Sequence, residues 1–197
     1  MAAVAGAVAD EIVAAMDASA PERAFVNNGG DIALRLAPGA SYRVGLVADP
    51  GRHGHSSGLD GRFEIDAALP VRGVATSGWR GRSWSLGIAD SVTVLARDAA
   101  AADAAATMIA NEVDVPHPAI RRRRACDVDD NTDLGERLVT VEVGELPVRA
   151  VEAALERGAA RAADLRACGL IWGAVLVLRS AHRVVGGELV AGLVSRV

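Results

Sequence analysis

The apolar positions along the chain switch between a period near 3.6 and a period of two, and the switches divide it into elements. Residues 2 to 18, within "MAAVAGAVADEIVAAM" and just beyond, have the small-residue density and spacing of a buried helix. No capping residue precedes that helix, so it begins abruptly. Short strand-like runs follow: "AFVNN", "DIALRLA", "YRVGLVA", "RFEIDAAL" and "VRGVATS". Gly and Pro punctuate them, most heavily in "DPGRHGHSSGLDG" from Asp49 to Gly61. The β-branched content of "SVTVLA", Ser91 to Ala96, predicts a further strand. Asp98 can cap a second, alanine-rich helix that runs to about Val113. "RLVTVEV" alternates like a strand, and Pro147 can occupy the first turn of a third helix, "VRAVEAALERGAARAADLRA". "GLIWGAVLVL" reads as a buried strand and "VVGGELVAGLV" as a closing hairpin. Helices and strands mix without regular βαβ alternation, which predicts an α+β fold with a largely antiparallel sheet, a single domain over residues 1–197.

Composition sharpens this picture in a few places. With 197 residues, 51% of them hydrophobic, one sizeable core is possible; with only 3% aromatics it must be built from Ala, Val, Leu and Ile. A net charge of −4 argues against a general nucleic-acid binder, which needs a basic face. The one basic run, Arg121 to Arg124, lies between Pro116 and Pro118 on one side and Asp127, Asp129 and Asp130 on the other. A solvated loop is expected there, with phosphate binding as the alternative. Cys126 and Cys168 lack metal-type spacing and suit a reducing cytoplasm. Cys168, just before the apolar run, is expected to be buried, and Cys126 to lie in a polar loop where it could react. The opening apolar stretch has no basic leader, since the first positive residue is Arg23, and "LIWGAVLVL" is too short to cross a bilayer. A soluble, cytoplasmic protein with no membrane partner is expected.

Three segments carry candidate chemistry. In "VNNGGDIAL", Gly29 and Gly30 can take positive φ or let a ligand approach the backbone, beside Asn28 and the Asp31 carboxylate. A hairpin turn would use the same residues. In "GVATSGWRGRSWSLGIAD", the hydroxyls of Thr76, Ser77, Ser83 and Ser85, the bare backbone of Gly78 and the charges of Arg80 and Arg82 suit an oxygen-rich anion such as phosphate. A polar surface loop is the plainer alternative. In "ADAAATM", Asp103 and Thr107 are four apart and share a helical face, where a carboxylate and a hydroxyl can hold magnesium alongside substrate phosphates. Otherwise Thr107 bonds back to its own helix and Asp103 faces water.

Taken in order, "NNGGDI", "VATSG", "SVTV" and "ADAAATM" resemble the ApbE family, which transfers flavin mononucleotide from FAD to protein Ser or Thr. The first, second and fourth correspond to its GGD, TSG and AD-x-x-AT signatures. The similarity is closer still to a short offshoot of the ApbE-like superfamily and covers essentially the whole chain, through "MAAVAGA", "SLGIADSVTV" and "DLGERLVTV". The resemblance implies a flavin-nucleotide site at Gly29, Gly30 and Asp31, a nucleotide-contacting loop at Ser77 and Gly78, and magnesium held by Asp103 and Thr107, with FAD or FMN as the cofactor. ApbE transferases also carry a His-containing segment between the TSG loop and the SVTV strand. No histidine lies between Trp79 and Asp90 here, so either Asp90 substitutes as the catalytic base or the reaction differs.

Relatives in the offshoot place a substantial segment before "MAAVAGA". A chain starting at that methionine is expected to leave a sheet edge open, which a homodimer would cover. Three functions follow as expectations: a magnesium-dependent flavin transferase, a non-catalytic flavin or nucleotide binder, and a participant in sulphur assimilation toward homocysteine that uses the Cys126 thiol.

Overall fold

The structure is a computed structural model and describes residues 3–19, 21–46 and 61–186. In chain order its elements are α1 (Val4–Met16), β1 (Arg23–Asn28), β2 (Asp31–Leu36), β3 (Ser41–Leu46), β4 (Gly61–Asp66), β5 (Gly73–Ser77), β6 (Ser91–Ala96), α2 (Ala99–Glu112), β7 (Ile120–Arg124), β8 (Leu138–Val143), α3 (Val148–Ala167), β9 (Gly173–Leu178) and β10 (Ala181–Val185). Six strands form the main sheet in the order β1-β2-β5-β6-β9-β10, every pair antiparallel. The fold is α+β, as the mixed periodicities require. Two-stranded ribbons, β3–β4 and β7–β8, stand outside that sheet.

Alternation along the strands sorts the core into two faces. On one face α1, α2 and α3 pack over the sheet. There Ala75, Val92, Val94, Ala174 and Leu176 meet Ala102, Ala106, Ile109, Val151 and Leu155. On the other face the β3–β4 ribbon supplies Phe63 and Ile65, with Tyr42 and Val44 beside them, against Leu34, Leu36, Val74, Leu95 and Val175. Strand β6 is buried at all six positions, because it lies between both layers at the centre of the sheet. The alanines that line α2 let the helix sit close to the strands and explain how so few aromatics suffice.

Helix α1 packs against α2, β1 and β2. Its N-cap position, Ala3, is left-handed and offers no side-chain bond, so the first amides of α1 need partners from elsewhere. One comes from α2: Asp103 Oδ2 accepts the Gly6 amide at 3.1 Å. The relation is reciprocal. Both oxygens of Asp10, on α1, accept the first amides of α2, Ala99 and Ala100, each at 2.9 Å. Asp98 caps α2 as expected, accepting from the Ala101 amide at 2.7 Å. Two antiparallel helices thus supply caps to each other's N-termini. Gly6 makes the approach possible, since a Cβ there would lie 2.3 Å from the Ala99 carbonyl oxygen.

Several expectations need correction. The arginine run is a strand, not a loop: β7 pairs with β8 across a register shift between Arg121 and Arg122. Arg121 meets Glu142, Arg122 meets Asp114, Arg124 meets Asp127, and Arg123 donates to the Asp127 carbonyl. Partners within the protein therefore occupy the guanidiniums that a phosphate would need. Pro147 is the N-cap residue of α3, one position before its first turn. Cys168 is exposed, because it is the C-cap of α3 and precedes the buried strand by several residues; Cys126 is half-buried in the 3-10 turn Ala125–Asp127. Strands β9 and β10 form a hairpin that turns at Arg179–Ser180. The expected closing hairpin "VVGGELVAGLV" lies outside the described residues beyond Gly186, as does most of the Asp49–Gly61 stretch.

Replacing Asp10 by alanine strands two helix-terminal amides in a tight interface. The Asp10→Ala protein is expected to lose about 1–2 kcal/mol of stability, read as a lower urea midpoint at unchanged slope.

Candidate functional site

The opening polar stretch is a hairpin turn and also one wall of a site. Asn28 pairs with Asp31 across β1 and β2, leaving Gly29 and Gly30 as a two-residue loop with φ of 73° and 114°. Positive φ at both central residues is the type I′ pattern that glycine adopts without strain. Asn27 closes it, its Oδ1 accepting the Gly30 amide at 2.9 Å. A Cβ built on Gly29 would come within 3.3 Å of Arg82 Nη1, so the Arg82 guanidinium lies against bare backbone.

Strand alternation then decides which side chains meet. Ala33 packs with Ala9 and Ala99, and Arg35 pairs with Asp17 after α1, so Asp31, two residues earlier, shares the helix face of β2. Asn28 also points there, its Nδ2 donating to the Ala5 carbonyl of α1 at 3.1 Å. On α2, Asp103 is half-buried and bonded to Gly6, and Thr107 lies half-buried one turn further along the same face. The plainer alternative for Asp103, that it faces water, does not hold. It faces α1 and the start of β2, and its negative charge reaches Asp31. Burial, and then that charge, push the Asp31 carboxyl up to about 6. Ser77 follows Ala75 on the helix-facing side of β5.

The remaining candidates sit elsewhere. Thr76 points to the opposite face of the sheet, where its hydroxyl bonds Thr93 Oγ1 at 2.8 Å. Gly78 uses its missing side chain to pack on Asp90, whose carbonyl oxygen a Cβ would meet at 2.4 Å. Asp90 accepts at Oδ1 from Trp79 Nε1 (3.1 Å) and Arg80 Nε (2.9 Å), and at Oδ2 from the Arg179 amide (2.5 Å). Arg80 in turn lies over the Trp79 ring, 4.9 Å from its centre. This knot holds the β9–β10 turn, where Arg179 is left-handed at φ 59°, against the start of β6. Ser85 is buried and bonds Asn111 on α2. A cleft of about 560 Å³ between the end of α3 and the start of β9, lined by Arg97, Arg166, Leu170 and Trp172, contains none of the candidates.

The family model described as AbpE bacteria matches residues 1–189. The chain belongs to that family. It is similar to a UPF0280 protein of Methanopyrus kandleri, 42% identical over 145 residues that make up 72% of this chain and 55% of that protein. Similarity to a UPF0280 protein of Methanothermobacter thermautotrophicus is 38% over 148 residues, 74% of this chain and 54% of the relative. One from Methanospirillum hungatei is 41% identical over 114 residues, 56% of this chain and 43% of the relative. The chain spans about half the length of these curated relatives.

Within this AbpE bacteria chain Asp31 and Asp103 bring two acidic groups together in a partly buried place. Among the described residues no group of three or more His, Cys, Asp or Glu side chains gathers to hold a metal. Two carboxylates suit an ion that completes its shell with water and phosphate oxygens, as magnesium does, and not a four-ligand zinc centre. Two residues that sequence reasoning passed over, Gly6 and Asp10, belong to the surroundings of this pair. The signals for them were an acidic residue inside an apolar helix and a helix start without its own cap.

The raised Asp31 carboxyl has a consequence for stability. The folded chain keeps that proton up to about pH 6, whereas the unfolded chain releases it near 3.8. Its stabilising contribution is present below the unfolded value and is lost as pH rises through the folded one. In metal-free buffer, urea midpoints are therefore expected to fall across this window. Asp31→Asn should remove that fall, and a mutant curve parallel to the wild type would contradict the assignment.

Proposed function

We propose that this protein binds a divalent cation together with the diphosphate of a flavin or other nucleotide. The observation that carries this reading is the Asp31–Asp103 pair beside the bare Gly29–Gly30 turn with Arg82 against it. Asp31, Asp103 and Thr107 would hold magnesium. The Gly29–Gly30 backbone, Ser77 and Arg82 would take the phosphate oxygens, the arginine through charge-assisted bonds. When bound, magnesium supplies charge neutralisation along the diphosphate. Asn28 ties the turn to α1 through Nδ2.

Flavin transfer to a hydroxyl acceptor is the second reading, favoured by the order of the three motifs and by the acid pair. It needs a base within hydrogen-bond reach of the acceptor. Asp90 already accepts three hydrogen bonds, from the Trp79 and Arg80 side chains and the Arg179 amide, so both of its oxygens are engaged within the protein. We therefore favour binding over transfer.

Among the described residues no helix is long and apolar enough to cross a membrane. Val4, Val8, Ile12 and Met16 form an exposed ridge on α1 next to the edge strand β1, and a homodimer in the cytoplasm would cover it.

FAD is expected to raise the melting temperature when magnesium is present and much less in EDTA, with Asp103→Ala abolishing the magnesium-dependent part. No shift in the wild type, or an equal shift in the mutant, would overturn the reading. If AMP is released as well, transfer operates, and Asp103→Ala should slow it by about two orders of magnitude or more.

A further inference from the structure

A single peptide group of α1 touches both halves of the candidate site. The Ala5 carbonyl accepts from Asn28 Nδ2 on the hairpin strand at 3.1 Å, and the Gly6 amide donates to Asp103 Oδ2 on α2 at 3.1 Å. Gly6 is the third residue of its helix, so that amide has no partner within α1. One turn later Asp10 holds Ala99 and Ala100, one turn before Asp103. The two attachments have the same four-residue spacing on both helices and so fix their axial register. Gly6 is buried with its Cα against the Ala99 carbonyl, which leaves α1 no room to slide or rock.

Two like-charged carboxylates brought together tend to separate by swinging one of them into water. Asp103, half-buried on the flank of α2 that faces α1, could relieve the repulsion in that way. The Gly6 bond opposes it by fixing Oδ2, leaving Oδ1 as the oxygen for a cation. We infer that Gly6 and Asp10 are positioning residues: through them α1 acts as a brace that presets the Asp103 carboxylate for ion binding. The inference rests on the reading of Asp31 and Asp103 as a cation site. Groups that orient a metal ligand from behind typically affect affinity by about 10- to 100-fold.

Manganese is a suitable probe, its free concentration being readable by electron paramagnetic resonance. Asp10→Asn and Gly6→Ala, each checked for folding by circular dichroism, should weaken manganese binding about tenfold or more. Glu11→Gln, exposed on the same helix, should leave it unchanged. A folded Asp10→Asn protein that binds manganese like the wild type would overturn the brace, and Asp10→Asn decides the matter should Gly6→Ala fail to fold. If the wild type binds no manganese, the cation site itself is wrong, and amide hydrogen exchange on the metal-free protein then tests the brace alone. Asp10→Asn is expected to accelerate exchange at Gly6, which it does not touch, as well as at Ala99 and Ala100. Acceleration confined to Ala99 and Ala100 would show a local cap only and would overturn the inference.

Discussion

The exchange of caps between α1 and α2 is the constraint on which the helical layer and the site both depend. Each helix starts with amides that its own chain does not fully satisfy. Asp103 answers for α1 and Asp10 for α2, over sequence separations of 97 and 89 residues. Because both bonds involve carboxylates and backbone amides in a partly buried seam, they are stronger than neutral ones. They also tie α1 to the strands it covers, since Asn28 reaches the same stretch of helix. Remove the seam, and α2 keeps its packing on β5 and β6 but loses what orients the flank that faces α1.

That seam has an electrostatic cost, and the cost is what makes the site interesting. A carboxylate spent on capping α1 lies close enough to Asp31 to raise its proton affinity, in a place that burial already makes unfavourable for charge. A chain selected for stability alone would place an asparagine at one of the two positions. Keeping both acids, beside a turn without side chains and next to Arg82, provides a cation-seeking pair within reach of an anion-seeking surface. A metal–phosphate unit has that same distribution of charge.

Much of the fold was legible because its determinants are local. Asp98 marked the start of α2, the β-branched "SVTVLA" marked β6, and paired glycines marked the β1–β2 turn. The arginine run is solvated, as its polarity suggests, but it is a strand because it pairs with the distant β8. Its strand is stabilised by carboxylates at Asp114 and Glu142, which no local pattern associates with it. Of the candidate site, Asp31 and Asp103 were readable from motif order and helical spacing. The assignment of both Thr76 and Ser77 to one pocket overlooked a signal that was available, since neighbours in a strand face opposite sides of the sheet. Gly6 and Asp10 left only an acid inside an apolar helix and an uncapped helix start as signals, because a cap supplied from another helix leaves no spacing rule behind.

We propose that Asp31 and Asp103 together receive a divalent cation. Anomalous diffraction from crystals soaked in manganese tests it most directly. The account predicts one manganese peak in coordinating contact with both carboxylates, beside the Gly29–Gly30 turn. A fully soaked crystal in which that position is empty, or in which manganese binds one acid while the other turns to solvent, would contradict it.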